Sequence, residues 1–149
     1  MNVEQLLTEK GRGVATIADT ESVERAIKEM TTQQTSALIV THDGQPVGLF
    51  AERDVLRCHL KYPEQPFSAI RLCDAMTRQL IVAEAGEEIR MAMAMMIKAD
   101  IRHLPVVKDE QVVGMLTISD LVEHQVQALE ADLHYLQEYI SDLQDAKED

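Results

Sequence analysis

The chain has 149 residues and a mass of 16.7 kDa, with 46% hydrophobic and 27% charged residues and a formal net charge of −12. That length suits one compact domain or two very small ones, and ~150 residues bury roughly 70% of the unfolded surface, so a core forms without disulfides or a structural metal. The acidic balance argues against DNA or RNA binding, which needs Lys and Arg clusters against phosphate, and the longest apolar run, Met91 to Ile97, is far too short for a membrane span.

Aromatic residues make up only 3% of the chain and Trp is absent, so the core is expected to be aliphatic and Met-rich. The N-terminus lacks the basic stretch followed by an apolar one that marks a secretory signal. Its VEQLL segment suits a short helix. Glu21–Met30 places Val23, Ala26, Ile27 and Met30 at helical spacing, with Ser22 or Thr20 available as a cap. A β-branched run at 36–40, a polar turn at 42–45 and a second apolar run read as a hairpin. Asp54 then opens a second helical pattern, Val55–Leu60. The same order recurs downstream: a helix over Glu87–Ile97 on Ile89, Ala92, Met93, Met96 and Ile97, a strand at 104–107, a turn at 108–111, a second strand, and a helix opening at Asp120.

This recurrence is an internal repeat. Shifting the chain by 66 positions aligns Val14–Leu60 with Leu80–Val126 without a gap, and seven of the ten identities fall within Leu38–Asp54 against Leu104–Asp120. Such concentration marks a tandem duplication, and the repeat decides the fold class. One unit of about 47 residues is too small to bury both faces alone, whereas two units packed sheet against sheet are not.

Cys58 and Cys73 form no CxxC or Cys/His cluster, so they read as ordinary thiols in a reducing cytosol. His42, His59, His124 and His134 share no ligand spacing, and no metal site is expected. Met91, Met93, Met95 and Met96 read as core filling on a helix. The Glu52–Arg53–Asp54 run has no nucleophile–base partner, so no catalytic residue is assigned and the chain is read as a non-enzyme.

The second copy, Asp74–Val122, resembles a CBS domain, the module named after cystathionine β-synthase. The resemblance rests on the MTR start at Met76–Arg78, the RHLPVV strand, and the turn Gly114–Asp120 with its Thr-x-Ser-Asp ending. The first copy, Ser36–Leu56, is similar to the GxxTERD form of the same motif. The resemblance covers roughly residues 3–124 and implies a tandem pair, or Bateman module. The implied fold is α/β: two helix–strand–strand–helix repeats related by pseudo-two-fold symmetry, followed by a long C-terminal helix. By chain order the divisions are 1–66 for the first repeat with its N-terminal helix, 67–124 for the second repeat, and 125–149 for the C-terminal helix.

In that family the cleft between repeats binds adenosyl ligands such as AMP, ADP, ATP, NAD or S-adenosylmethionine, as regulators and not as required cofactors. One carboxylate accepts hydrogen bonds from both vicinal hydroxyls of a ribose, and charge-assisted bonds are the strong kind; Asp120 and Asp54 are the candidates. Thr117 and Ser119 add hydroxyls beside a helix start, where free N–H groups favour phosphate. Arg102 and His103 resemble the basic residues that the family directs at phosphate. Ala15 and Ile81 would flank adenine, with Ser36 across the cleft. The first copy departs from the pattern, because Ala51 stands where Thr or Ser is expected; Arg53 is positioned to compensate. The Asp120 cleft is therefore expected to be the better site. Asp54 and Asp120 also suit plain helix caps, and Arg102 and His103 suit surface positions beside a strand.

Nine of the 26 acids but only one of the 14 bases fall within residues 120–149, so two-thirds of the net charge lies in the last fifth of the chain. There Val122, Val126, Leu129, Leu133, Leu136, Ile140 and Leu143 alternate steps of four and three, a heptad seam about 33 Å long. The seam serves either a homodimer or packing back onto the repeats; self-association is favoured. The alternative function is a ligand-free dimerisation or docking module for an unknown protein partner, and a cytoplasmic location is expected.

Overall fold

The computed structural model describes residues 1–11 and 13–148. In chain order the elements are α1 (Val3–Lys10), β1 (Thr16–Ala18), α2 (Val23–Gln33), β2 (Ala37–His42), β3 (Gln45–Ala51), α3 (Glu52–Lys61), α4 (Leu72–Ala75), β4 (Ala83–Glu84), α5 (Ile89–Ala99), β5 (His103–Lys108), β6 (Gln111–Thr117) and α6 (Ile118–Glu148). Among the described residues the strands form two three-stranded sheets, ordered β1-β2-β3 and β4-β5-β6. The α/β architecture and the duplication are both as expected.

The 66-residue offset holds down to backbone detail. Both hairpins carry a bulge, at Val40/Thr41 and at Val106/Val107. Both turns place two consecutive residues at positive φ, Asp43 and Gly44 (51° and 81°) and Asp109 and Glu110 (51° and 64°). That is the geometry of the tight hairpin turn whose twist suits flanking strands. Ser22 caps α2 by accepting the Arg25 N–H at 3.1 Å, and Val23, Ala26 and Met30 face the core. In α5 the same face is Ile89, Ala92 and Met96.

Three features differ from the sequence reading. Each sheet begins with a short strand parallel to its central one, β1 beside β2 and β4 beside β5; at three and two residues these are too short to show a period. Met91 is 64% exposed and Ile97 65% exposed, because they lie off the Ile89–Ala92–Met96 stripe of a 3.6-residue helix. Of the four Met residues read as core, Met96 is buried and Met93 and Met95 pack at the margin.

The two cores are joined by exchanged segments. Helix α1 precedes the first repeat, yet Val3 and Leu6 are buried in the core of the second, and Val3 and Glu4 donate their N–H groups to Glu87 and Ala85. Reciprocally, Ile70 and Leu72 precede the second repeat and are buried in the core of the first, with backbone hydrogen bonds from Val23 to Ile70 and from Leu72 to Glu21. Leu6 and Leu72 are themselves 66 positions apart. Gly48 and Gly114 are where the exchanged segments press on the hairpins. A Cβ at Gly48 would lie 2.7 Å from Met76 Sδ and 2.8 Å from the Thr77 carbonyl oxygen, and one at Gly114 would lie 2.7 Å from Leu7 Cδ2.

Helix α6 runs unbroken for 31 residues, about 46 Å. Leu121 is buried and Ile118 packs against the second core, whereas every residue from Val126 to Lys147 is exposed. The tail therefore does not fold back onto the repeats.

Two stability outcomes follow from these contacts. Gly48→Ala should cost about 1–3 kcal/mol and more than Gly114→Ala, because backbone blocks the first position and a movable Leu tip the second; equal melting losses would contradict the exchange geometry. Glu110→Gly should stabilise by about 0.5–1 kcal/mol, since Gly adopts the left-handed conformation without a Cβ clash, as read by urea denaturation.

Candidate functional site

Both carboxylates sit in the first turn of a helix that directly follows a hairpin strand, so the strand end positions them. Asp120 is 6% exposed and Asp54 5% exposed. In the second repeat Thr117 and Asp120 bond reciprocally: the Thr117 N–H donates to Asp120 Oδ2 at 2.9 Å, and the Asp120 N–H donates to Thr117 Oγ1 at 3.1 Å. Two N–H groups at a helix start are thereby satisfied, as in a capping box. In the first repeat the Ala51 N–H donates to Asp54 Oδ2 at 2.8 Å, but Ala51 has no hydroxyl to return the bond.

Each carboxylate is also met by the segment leading into the opposite repeat. Thr77 donates its hydroxyl to Asp54 Oδ1 at 2.9 Å, and Arg57 Nη1 lies 3.9 Å from the same oxygen. The Lys10 ammonium lies 3.8 Å from Asp120 Oδ1 and bonds Glu123 Oε2 at 3.1 Å. Neither Lys10 nor Thr77 is singled out by the sequence reading. The repeat offset held the signal, since it pairs Lys10 and Gly11 with Met76 and Thr77.

The repeats touch through a second polar contact, Ser36 Oγ to His103 Nε2 at 2.9 Å. Ser36 and Arg102 occupy matching places: the Glu52 N–H bonds the Ser36 carbonyl at 3.2 Å, and the Ile118 N–H bonds the Arg102 carbonyl at 3.0 Å. Arg102 is exposed and His103 half-buried. Burial first, and the neighbouring Arg102 second, hold the His103 imidazole below its ordinary value of 6.5, with Glu52 pulling the other way.

The remaining candidates are less concentrated. Arg53 and Ser119 are exposed in the first turns of α3 and α6. Ala15 is buried in the first core, where its carbonyl accepts the Ile39 N–H at 2.9 Å. Ile81 packs against the second core. The structure thus joins Thr117 with Asp120 and Ser36 with His103. Beside Ser36 and Glu52 lies a cavity of about 760 Å³ lined also by Ile27, Met30, Val55 and Leu56. Among the described residues no cluster of His, Cys, Asp and Glu is suited to a metal ion, and no helix is long and apolar enough to cross a membrane. Carboxylates backed by helix-start N–H groups, with cations alongside, suit a ligand combining hydroxyls and an anionic group.

The CBS domain family model matches residues 4–61 and again 72–127. The mitochondrial CBS domain-containing protein CBSX3 of Arabidopsis thaliana is 32% identical over 125 residues, which covers 80% of this chain but only 60% of that protein. The chain thus spans less than two-thirds of this relative's length. The crystal structure of the CBS domain NE2398 superimposes with a TM-score of 0.77 at 34% identity, covering 85% of this chain and 98% of the other. A CBS domain protein of Pyrobaculum aerophilum complexed with AMP shares the fold, with a TM-score of 0.71 at 22% identity over 80% of this chain and 89% of the other.

The His103 contact carries a pH dependence. Because its folded value is depressed, the unfolded chain takes up a proton first; the stabilisation is complete above about pH 6.5 and is lost as pH falls below it. His103→Gln should flatten the decline in Tm between about pH 7.5 and 5.5. His42, raised chiefly by its hydrogen bond to Asp19, contributes with the opposite sign in both proteins and cancels from the comparison. Parallel slopes would remove the assignment.

Proposed function

Because the chain belongs to the CBS domain family, we propose that its tandem pair is a regulatory module that binds an adenosyl ligand between the repeats and performs no catalysis. The candidate ligands are AMP, ADP, ATP, NAD and S-adenosylmethionine. The observation that carries this reading is the reciprocal Thr117–Asp120 pair at the head of α6, which holds a buried carboxylate where a ribose diol is to be recognised. AMP bound to the P. aerophilum protein of like fold supports the ligand class. Asp120 and Thr117 take the ribose, and Ser119, Arg102 and His103 serve the phosphate. Ser36 faces them from the first repeat, and Ala15 and Ile81 flank the base. The Asp54 cleft, with Arg53, is the weaker site, because Ala51 lacks the hydroxyl that Thr117 supplies beside Asp120, and a lost hydroxyl contact costs about 0.5–1.5 kcal/mol.

Asp120 lies in the first turn of the same helix that carries the exposed seam, so a ligand there acts directly on the element that extends from the repeats. A ligand shifts such an equilibrium only by the difference in its affinity for the two states. We place the module in the cytoplasm, as a homodimer that signals to a protein partner. The missing hydroxyl at Ala51 favours one second reading, a docking module whose nucleotide sites are degenerate.

Melting curves with each of the five ligands separate the two. At a hundred times Kd a true ligand stabilises by about 2.7 kcal/mol, and at least one of the five should raise Tm. Asp120→Asn, which keeps an acceptor for the Thr117 N–H, should abolish that rise, while Asp54→Asn should leave most of it. No rise with any ligand selects the docking module. A rise lost only in Asp54→Asn reverses the ranking of the two sites.

A further inference from the structure

We infer that α6 pairs with α6 of a second copy as a parallel, in-register, two-stranded coiled coil, bringing two Asp120 carboxylates to the same end of one shared stalk. This rests on the homodimer reading above and deepens it by assigning orientation and register.

The seam is fully formed and uncovered. Val122, Val126, Leu129, Leu133, Leu136, Ile140 and Leu143 are 45–67% exposed on a helix whose first turns are anchored in the second core. No Gly or Pro interrupts it. Val126, Leu133 and Ile140 take the a positions, and Val122, Leu129, Leu136 and Leu143 the d positions. β-branched residues at two of three a positions with Leu at three of four d positions are the pattern that, in a parallel coil, favours two strands over three or four.

Charge then selects the register. In a parallel pair each g residue faces the e residue of the next heptad on the partner. In register, Gln125 meets Glu130, Asp132 meets Gln137 and Tyr139 meets Gln144, so every acid faces an uncharged side chain. A slip of one heptad sets Asp132 of one chain against Glu130 of the other and also loses a hydrophobic layer. The acids Glu138 and Asp142 fall at f and c, pointing away from the seam, which lets a strongly acidic helix associate with itself. Three heptads are near the lower limit for an isolated coil; here the anchored head of α6 starts the helix.

The pairing is tested on the full chain. Light scattering at tens of micromolar should give two chains, and Leu136→Asp should raise the dimer Kd at least tenfold. Leu143→Cys, made in a Cys73→Ser background because Cys73 is only half-buried, should form a disulfide-linked dimer in glutathione buffer, with Cys73→Ser alone as control. In an antiparallel pair Leu143 faces the partner's Val126 region, and the disulfide cannot form. A dimer without the disulfide overturns the parallel, in-register pairing while leaving the homodimer standing. A dimer indifferent to Leu136→Asp overturns the seam. A single chain overturns the homodimer reading itself and leaves α6 to a different protein.

Discussion

The exchange of entry segments is the constraint on which the rest of the structure depends. Leu6 fills the core of the second repeat and Leu72 the core of the first, so neither repeat completes its own interior. A unit of this size buries too little apolar surface to stand alone. Sharing core residues ties the two cores to each other, and it sets each exchanged segment against a hairpin, β2–β3 or β5–β6. Gly48 and Gly114 are glycines for the same reason: Met76 and Thr77, or Leu7, occupy the space of a Cβ.

The same exchange builds the candidate site. Lys10 reaches Asp120 and Thr77 reaches Asp54 because the segments that fill the opposite core end beside the opposite helix start. Each carboxylate therefore belongs to one repeat and is contacted by the approach to the other. The two ends are not equivalent. Each carboxylate has a cation nearby, Arg57 at Asp54 and Lys10 at Asp120, but Asp54 is bonded by the Thr77 hydroxyl and has none from Ala51, whereas Asp120 has the Thr117 pair. The two copies differ in the residues around their carboxylates, while their turns, bulges and helix faces are alike.

Charge is partitioned along the same lines. The acidic excess sits on the exposed length of α6, where it is solvated and costs little, and the repeat body sets Lys10 3.8 Å from Asp120 and Arg57 3.9 Å from Asp54. Net charge consequently speaks to nucleic-acid binding and hardly at all to a small anionic ligand. The continuous helix links the two regions: its first turn holds Asp120 and its remainder carries the unburied seam.

Much was legible in the residues themselves. The 66-residue duplication, the helix faces of α2 and α5, the hairpin turns and the head of each C-terminal helix are local signals, set by side-chain period, caps and backbone preference within a few positions. The bond between Asp120 and Thr117, and its missing counterpart at Ala51, were readable for that reason. The sequence could not show which core α1 enters, that Met91 and Ile97 face solvent, that Thr77 and Lys10 complete the carboxylate sites, or that Ser36 meets His103. Those outcomes depend on how segments tens of residues apart pack together, and packing is settled only when the two repeats close on each other's entry segments. The order of residues thus determined the kind of repeat and the candidate chemistry, while tertiary structure decided which residues from the other half meet each carboxylate, because each half lends its entry segment to the other's core.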